Sequence, residues 1–240
     1  MRIAILSDIH SNFHALESVS KKIRELSCDG VWVLGDIVGY CAFPNECVEW
    51  VKENASIAVL GNHELAVLGL IDLQTFNPYA AESLLWSRER LKKENLEYLS
   101  TLSIQAITDC CHLVHDSPAN PGTATYILSK KDAYFNLLKQ KRELAFFGHT
   151  HIPSAYRLWG PEVDLLSPLK VYFKGGRYLI NPGSVGQPRD GNPKASFGVL
   201  DLKEKSFTLY RVEYNLKAAA REILRAGLPK VFAARIIMGE

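Results

Sequence analysis

Five of the seven histidines fall in short polar clusters, and each cluster follows directly on a short apolar run. Ile3-Ala4-Ile5-Leu6 leads into Ser7-Asp8-Ile9-His10, and Val31-Trp32-Val33-Leu34 leads into Gly35-Asp36. Ile57-Ala58-Val59-Leu60 leads into Gly61-Asn62-His63-Glu64, Leu113-Val114 into His115-Asp116, and Leu144-Ala145-Phe146-Phe147 into Gly148-His149-Thr150-His151. Carboxylate, imidazole and amide oxygen are ligands for hard or borderline divalent cations, and no cysteine stands among them. His149 and His151 are two residues apart, so an extended backbone points both imidazoles to one side. An Asp-x-His pair or a Gly-Asp turn is weak evidence by itself. The series of clusters, each behind an apolar run, is strong.

Short continuous apolar runs bounded by glycine or polar residues are what strands buried on both faces look like. Between them Phe13, Leu16, Val19, Ile23 and Leu26 repeat at helical spacing behind the N-cap candidate Asn12, and Pro44 to Glu53 carries a second helix. Strands alternating with helices imply an α/β domain with central parallel strands. In such sheets the strand carboxyl ends build the site. Asp8, His10, Asp36, Asn62, His63, His115, His149 and His151 can therefore converge although they are far apart in sequence.

Residues 65–100 contain no convincing strand, and Pro78 to Leu99 is helical in composition; we expect a helical insert near the active site. From Lys170 to Tyr214 the pattern turns to strands, with hairpin signals at Gly175-Gly176 and Lys203-Glu204-Lys205. The last helix is expected from about Asn215 to Gly227, with Pro229 beyond it.

The 240 residues are 47% hydrophobic and 22% charged, an ordinary globular balance, and we expect one domain over residues 1–240. The net charge of +2 speaks against nucleic acid as the main partner. No apolar run approaches a membrane span and no secretory leader precedes Met1 to Leu6, so a cytoplasmic protein without membrane association is expected. The five cysteines, at 28, 41, 47, 110 and 111, are odd in number and contain no C-x-x-C; free thiols are expected.

The order D-x-H, G-D, G-N-H-[DE], H, G-H-x-H resembles the calcineurin-like metallophosphoesterase superfamily. The likeness covers about Met1 to Pro153, and Asn181-Pro182-Gly183-Ser184-Val185-Gly186 is similar to the small bacterial and archaeal phosphodiesterase branch. The resemblance implies a four-layer sandwich of two mixed β-sheets flanked by helices (α/β, α+β). It implies two divalent transition metal ions of the manganese, iron, zinc or nickel kind. One would be held by Asp8, His10, Asp36 and His151, the other by Asp36, Asn62, His115 and His149, with Asp36 shared. A metal-bridging hydroxide would then be the nucleophile, and His63 would protonate the leaving oxygen or stabilise its charge. The chain departs from the common pattern in three places. Glu64 stands where Asp is more frequent, a change expected to affect only the orientation of His63. Asp116 follows His115 in place of glycine, adding negative charge. Tyr40-Cys41-Ala42 replaces Tyr-Gly, placing a thiol near the entrance.

Outside these blocks, Arg189 is the best candidate for a second phosphate grip, since guanidinium pairs bidentately with phosphate; the bland alternative is pairing with Asp190. His14, on the first helix, is a weaker substrate-binding candidate, and His112 reads as structural. Phe76, Asn77 and Tyr79 could stack on a base or simply pack. The implied function is a phosphodiesterase or a nucleotide or dinucleoside polyphosphate hydrolase acting on a small phosphorylated substrate, with a homo-oligomer left open. The alternatives are a serine/threonine-type protein phosphatase, disfavoured by the short chain, and a non-catalytic metal-binding regulatory scaffold.

Overall fold

The first strand shows how the layers arise. Along β1 (Arg2–Leu6) successive side chains alternate in direction. Ile3 and Ile5 enter one buried cluster, while Ala4 and Leu6 enter another. A strand buried on both faces needs a partner layer on each side, and both are present in the computed structural model, which describes residues 1–240.

The remaining elements follow in order: α1 (Phe13–Glu25), β2 (Gly30–Val33), α2 (Pro44–Asn54), β3 (Ile57–Ala58), α3 (Asn62–Val67), α4 (Pro78–Arg90), α5 (Lys93–Thr101), β4 (Gln105–Ile107), β5 (Cys111–Val114), α6 (Lys130–Lys139), β6 (Leu144–Phe146), β7 (Ser154–Trp159), β8 (Glu162–Leu166), β9 (Lys170–Tyr172), β10 (Arg177–Asn181), β11 (Ala195–Asp201), β12 (Ser206–Val212), α7 (Leu216–Arg225) and α8 (Lys230–Met238). They build two six-stranded sheets, ordered β3-β2-β1-β11-β12-β9 and β4-β5-β6-β10-β7-β8. Each sheet is mixed. β1, β2 and β3 run parallel, as do β5, β6 and β10, and antiparallel strands flank both sets. The expected four-layer sandwich is thus the architecture found.

The two sheets face each other across Ile3, Ile5, Trp32, Leu113, Phe146, Ile180 and Phe207, with the Phe146 and Phe207 rings 5.7 Å apart. The outer face of the first sheet is covered by α1 and α2 through Leu16, Val19, Val48 and Val51. α6 covers the second sheet through Ala133 and Leu137. Asn12 caps α1 as its sequence position suggests, its side chain accepting from Ala15 N.

Three expectations need correction. The helical stretch from Pro78 to Leu99 is two helices, because the chain turns extended at Leu91 and Lys92 before α5 begins. Gly175-Gly176 makes no hairpin: β9 and β10 on either side of it belong to different sheets, and both glycines hold positive φ where the chain crosses over. α7 ends before Gly227, but it is not the last helix, since Pro229 opens α8. By contrast, β11 and β12 pair antiparallel around Lys203–Lys205 as expected.

Candidate active site

The strand ends deliver their polar residues to one buried place. One atom each of Asp8, His10, Asp36 and His151 forms a first group within 4.8 Å, and Asp36, His115 and His149 form a second, sharing Asp36. All of these side chains are buried. His115 Nε2 lies 3.1 Å from Asn62 Oδ1 and 3.3 Å from Asp36 Oδ2, so Asn62 joins the second group. The backbone bends sharply to aim these groups. Asp8, His10, Asp36, His149 and His151 take φ of 54°, 49°, 51°, 64° and 60°, in the left-handed region that ordinary residues avoid.

Backbone carbonyls settle which ring nitrogen is free, and the tautomers follow from these hydrogen bonds. His10 Nδ1 donates to Val38 O at 3.2 Å, His151 Nδ1 to Gln187 O at 2.5 Å, and His115 Nδ1 to Leu34 O at 2.8 Å. His149 uses Nε2 instead, donating to Ala124 O at 3.1 Å. The other nitrogens then face each other. His10 Nε2 and His151 Nε2 stand 3.0 Å apart, and His115 Nε2 and His149 Nδ1 stand 3.2 Å apart. Burial disfavours the charged form of both His10 and His151, and two neutral imidazoles anchored in this way turn two lone pairs towards each other with no proton to share. A cation between them resolves the conflict, and carbonyl-anchored histidines are a regular feature of metal sites. The donor set of imidazole, carboxylate and amide oxygen fits a pair of divalent transition metals.

The electrostatics agree. Burial alone would raise Asp36, but the imidazoles of His115 and His63 outweigh it and hold its carboxyl well below the usual range. Burial pulls His115 down, yet Asp36 beside it raises the imidazole to about 10. Left to the protein's own groups, a proton on His115 therefore sits where a cation would bind. Burial pushes Asp8 up to about 7. Burial, and then the His115 charge, lowers His149 to about 4, while burial and the His63 charge hold His10 well below its ordinary value.

His63 lies beside these groups. Its Nδ1 donates to Val38 O at 3.0 Å, and its Nε2 is 3.9 Å from Asp36 Oδ2. Glu64 does something other than orient His63. Its carboxylate accepts from the backbone amides of Asp36, Ile37, Val38 and Gly61 at 2.8–3.0 Å, clamping the turn that carries Asp36. Its reach back to the residue before the helix is one half of a capping box, a pattern readable in Gly61-Asn62-His63-Glu64. The charge of Asp116 is likewise absorbed, by the amides of Gly122 and Ala124. Cys41 is 3% exposed within an apolar cluster, so no thiol stands at the entrance.

A cleft of about 450 Å³ opens over the two groups. Asp36, Asn62, His63, His149 and His151 line it, together with Phe76 and Asn77, with Thr123, Ala124 and Tyr126, and with Arg189 and Tyr40. The Tyr126 ring stacks on His149 at 4.1 Å. The segment 122–126 carries no regular pattern, and its part in the site had no sequence signal beyond the aromatic itself. Arg189 makes no ion pair with Asp190, which pairs with Arg211; its guanidinium instead meets Gln187 Oε1 at 3.0 Å and Tyr40 Oη at 3.5 Å. His14 is not part of the cleft. It is half-buried on α1, edge-on to Phe43 at 5.5 Å. Tyr79 is exposed and also outside the cleft lining. His112 is held by Gln105 and Lys141 within the second sheet, consistent with a structural role.

Comparison with known proteins gives the same picture. Residues 1–205 match the calcineurin-like phosphoesterase superfamily domain. An uncharacterized protein of Methanocaldococcus jannaschii, MJ0912, is 39% identical over 99% of this chain and 98% of its own. The phosphodiesterase YfcE of Escherichia coli K12 is 25% identical over 84% of this chain and 88% of its own. The crystal structure of a metallophosphoesterase from Sphaerobacter thermophilus superposes with a TM-score of 0.89 at 38% identity, covering 100% of this chain and 99% of that one. No helix is long and apolar enough to cross a membrane. With this motif order, this sheet topology and a match over most of its length, the chain belongs to the calcineurin-like phosphoesterase superfamily.

Proposed function

We propose that the protein is a dinuclear-metal-dependent phosphodiesterase or nucleotide phosphohydrolase. The carrying observation is the lone-pair conflict of His10 with His151 beside Asp36, with a second group of His115, His149 and Asn62 sharing that carboxylate. Asp8, His10, Asp36 and His151 would hold one cation; Asp36, Asn62, His115 and His149 would hold the other. Bound there, two divalent ions supply charge to offset the phosphate oxygens and lower the pKa of a water towards neutrality.

The chain's own residues do the rest. Val38 O fixes the His63 ring so that Nε2 faces the cleft. Burial lowers the proton affinity of the His63 imidazole. An incoming phosphate acts against burial, because its negative charge favours imidazolium. His63 then holds a proton at Nε2 for the leaving oxygen. Arg189, with no carboxylate partner, is free to grip a second phosphate. Phe76 and Tyr126 give the cleft aromatic walls suited to a base, which favours a dinucleoside polyphosphate or another nucleotide diester as substrate.

The test uses purified protein loaded with manganese, iron, zinc or nickel and a panel of diesters. His63→Ala should keep both metals and lose about 10² to 10⁴ in kcat on esters with poor leaving groups, but much less on nitrophenyl esters, whose leaving anion needs no proton. Equal slowing of both classes, or an emptied metal site, would remove His63 from its role. A metal-loaded wild type that turns over no phosphoester would leave a binding scaffold instead.

A further inference from the structure

The C-terminal hairpin of α7 and α8 lies beyond the residues that match the family, yet it packs against Tyr40, which lines the cleft. Ala219, Ala220, Ile223, Phe232 and Ile236 share one buried cluster with Tyr40 and with Ala80 of α4. Phe232 is 1% exposed, and its ring centroid is 4.7 Å from that of Tyr40. Tyr40 is gripped from the insert as well, its backbone amide donating to Ser83 Oγ, and it sits at φ 61°. The ring is therefore fixed by packing rather than by solvent.

Beyond Phe232, the Tyr40 ring meets the site. It lies 4.3 Å from His10 and 4.6 Å from His63, edge to face at 79°. The Arg189 guanidinium lies 5.8 Å from its centroid, with Nη2 at 3.5 Å from the hydroxyl. The end of α8 also holds the loop that carries Arg189, since Gly239 O accepts from Gly191 N at 2.9 Å. If Tyr40 served only to fill space, a phenyl ring would do; its hydroxyl lies next to the guanidinium on the cleft side. We propose that Tyr40 is a positioning residue, carrying the packing of the C-terminal hairpin to His63 and Arg189. Through Phe232, α8 sets the orientation of the imidazole that serves the leaving group and of the guanidinium that grips the distal phosphate.

The proposal rests on the phosphoesterase reading above, and its test separates the two. In Phe232→Leu, which keeps an apolar side chain of similar size, the ratio of kcat on a nitrophenyl diester to kcat on an alkyl diester should rise about 3- to 10-fold with two metals retained. In Tyr40→Phe, calorimetric binding of inorganic pyrophosphate to the metal-loaded protein should weaken about 2- to 10-fold. That loss should vanish when the same change is made in an Arg189→Ala background. An unchanged leaving-group ratio together with a lowered Tm would make the hairpin packing merely structural. A loss of pyrophosphate affinity that persists without Arg189 would make Tyr40 a direct ligand contact, and no loss at all would cut its link to Arg189. A wild type that binds pyrophosphate but hydrolyses no diester would defeat the broader reading alone.

Discussion

Gly39 leaves open the space that the imidazole of His63 fills: a Cβ at this position would collide with His63 Nδ1, the nitrogen that donates to Val38 O. Gly39 also holds φ 92°, which L side chains rarely adopt. Gly39→Ala should therefore displace the ring and strain the turn. We expect a loss of about 10-fold or more in kcat on poor leaving groups, with destabilisation of about 1–3 kcal/mol. Steady-state kinetics and denaturant melts check both. Unchanged kinetics would mean that His63 tolerates a shift and is not a positioned acid.

Asp36→Asn tests the shared ligand. Removing the charge would leave the two proposed cations repelling across a neutral amide. Partners behind the ligands alone are worth about 10- to 100-fold in metal affinity, so the shared carboxylate should be worth more. Elemental analysis after dialysis should show at most one metal per chain, against two in the wild type and in His63→Ala.

Proton release should accompany metal uptake. His115, raised to about 10, favours the folded protein below its ordinary 6.5, and that contribution is lost as pH rises through 10. Asp8, raised to about 7, develops an unfavourable charge as pH rises from its usual value of 3.8. Asp36, lowered, acts the other way and loses its contribution on acidification. Chelator-treated protein should therefore lose stability between pH 6.5 and 10, the window set by His115, whereas metal-loaded protein should not. Calorimetry at pH 8 in buffers of different ionisation enthalpy should find about one proton released per chain on loading. A pH-independent Tm after chelation would rule out the His115 proton as the metal's stand-in.

Arg189→Ala should raise KM for a substrate bearing a second phosphate by about 10-fold or more, since hydrogen bonds to charged groups are worth about 1.5–3 kcal/mol. KM for a small synthetic diester should change far less. Equal changes would assign the loop a structural role.

The residues that gather at the site were legible in the sequence because chemistry and topology coincide at strand ends: Asp8, Asp36, Asn62 and His115 each follow an apolar run that reads as a buried strand. β1, β2, β5 and β6 announce themselves by apolar continuity in the same way. What stayed hidden depends on distant partners. β7 and β8 read weakly because a charged residue in each, Arg157 and Asp164, breaks the apolar run. α8 follows a Pro-marked stop at Gly227, and its apolar residues find their use only against Tyr40 and α7. His14 looked close to the site along the chain, but α1 turns its side chain toward Phe43. Glu64 was visible as a residue, while its work in clamping Asp36 requires the turn to be folded first.

The left-handed backbone at Asp8, His10, Asp36, His149 and His151 has a consequence for how the sequence can drift. Aspartate and histidine are among the few side chains that enter this region, at a cost glycine does not carry. The backbone strain that glycine would relieve is balanced by what the side chains do inside the protein: Asp8 accepts from His149 N and Asp36 from His63 N, and a glycine at either position would leave that amide unpaired. Drift at these turns is thus narrowed from two directions, by the backbone to the few residue types that bear a positive φ and by the buried amides to those that still offer an oxygen.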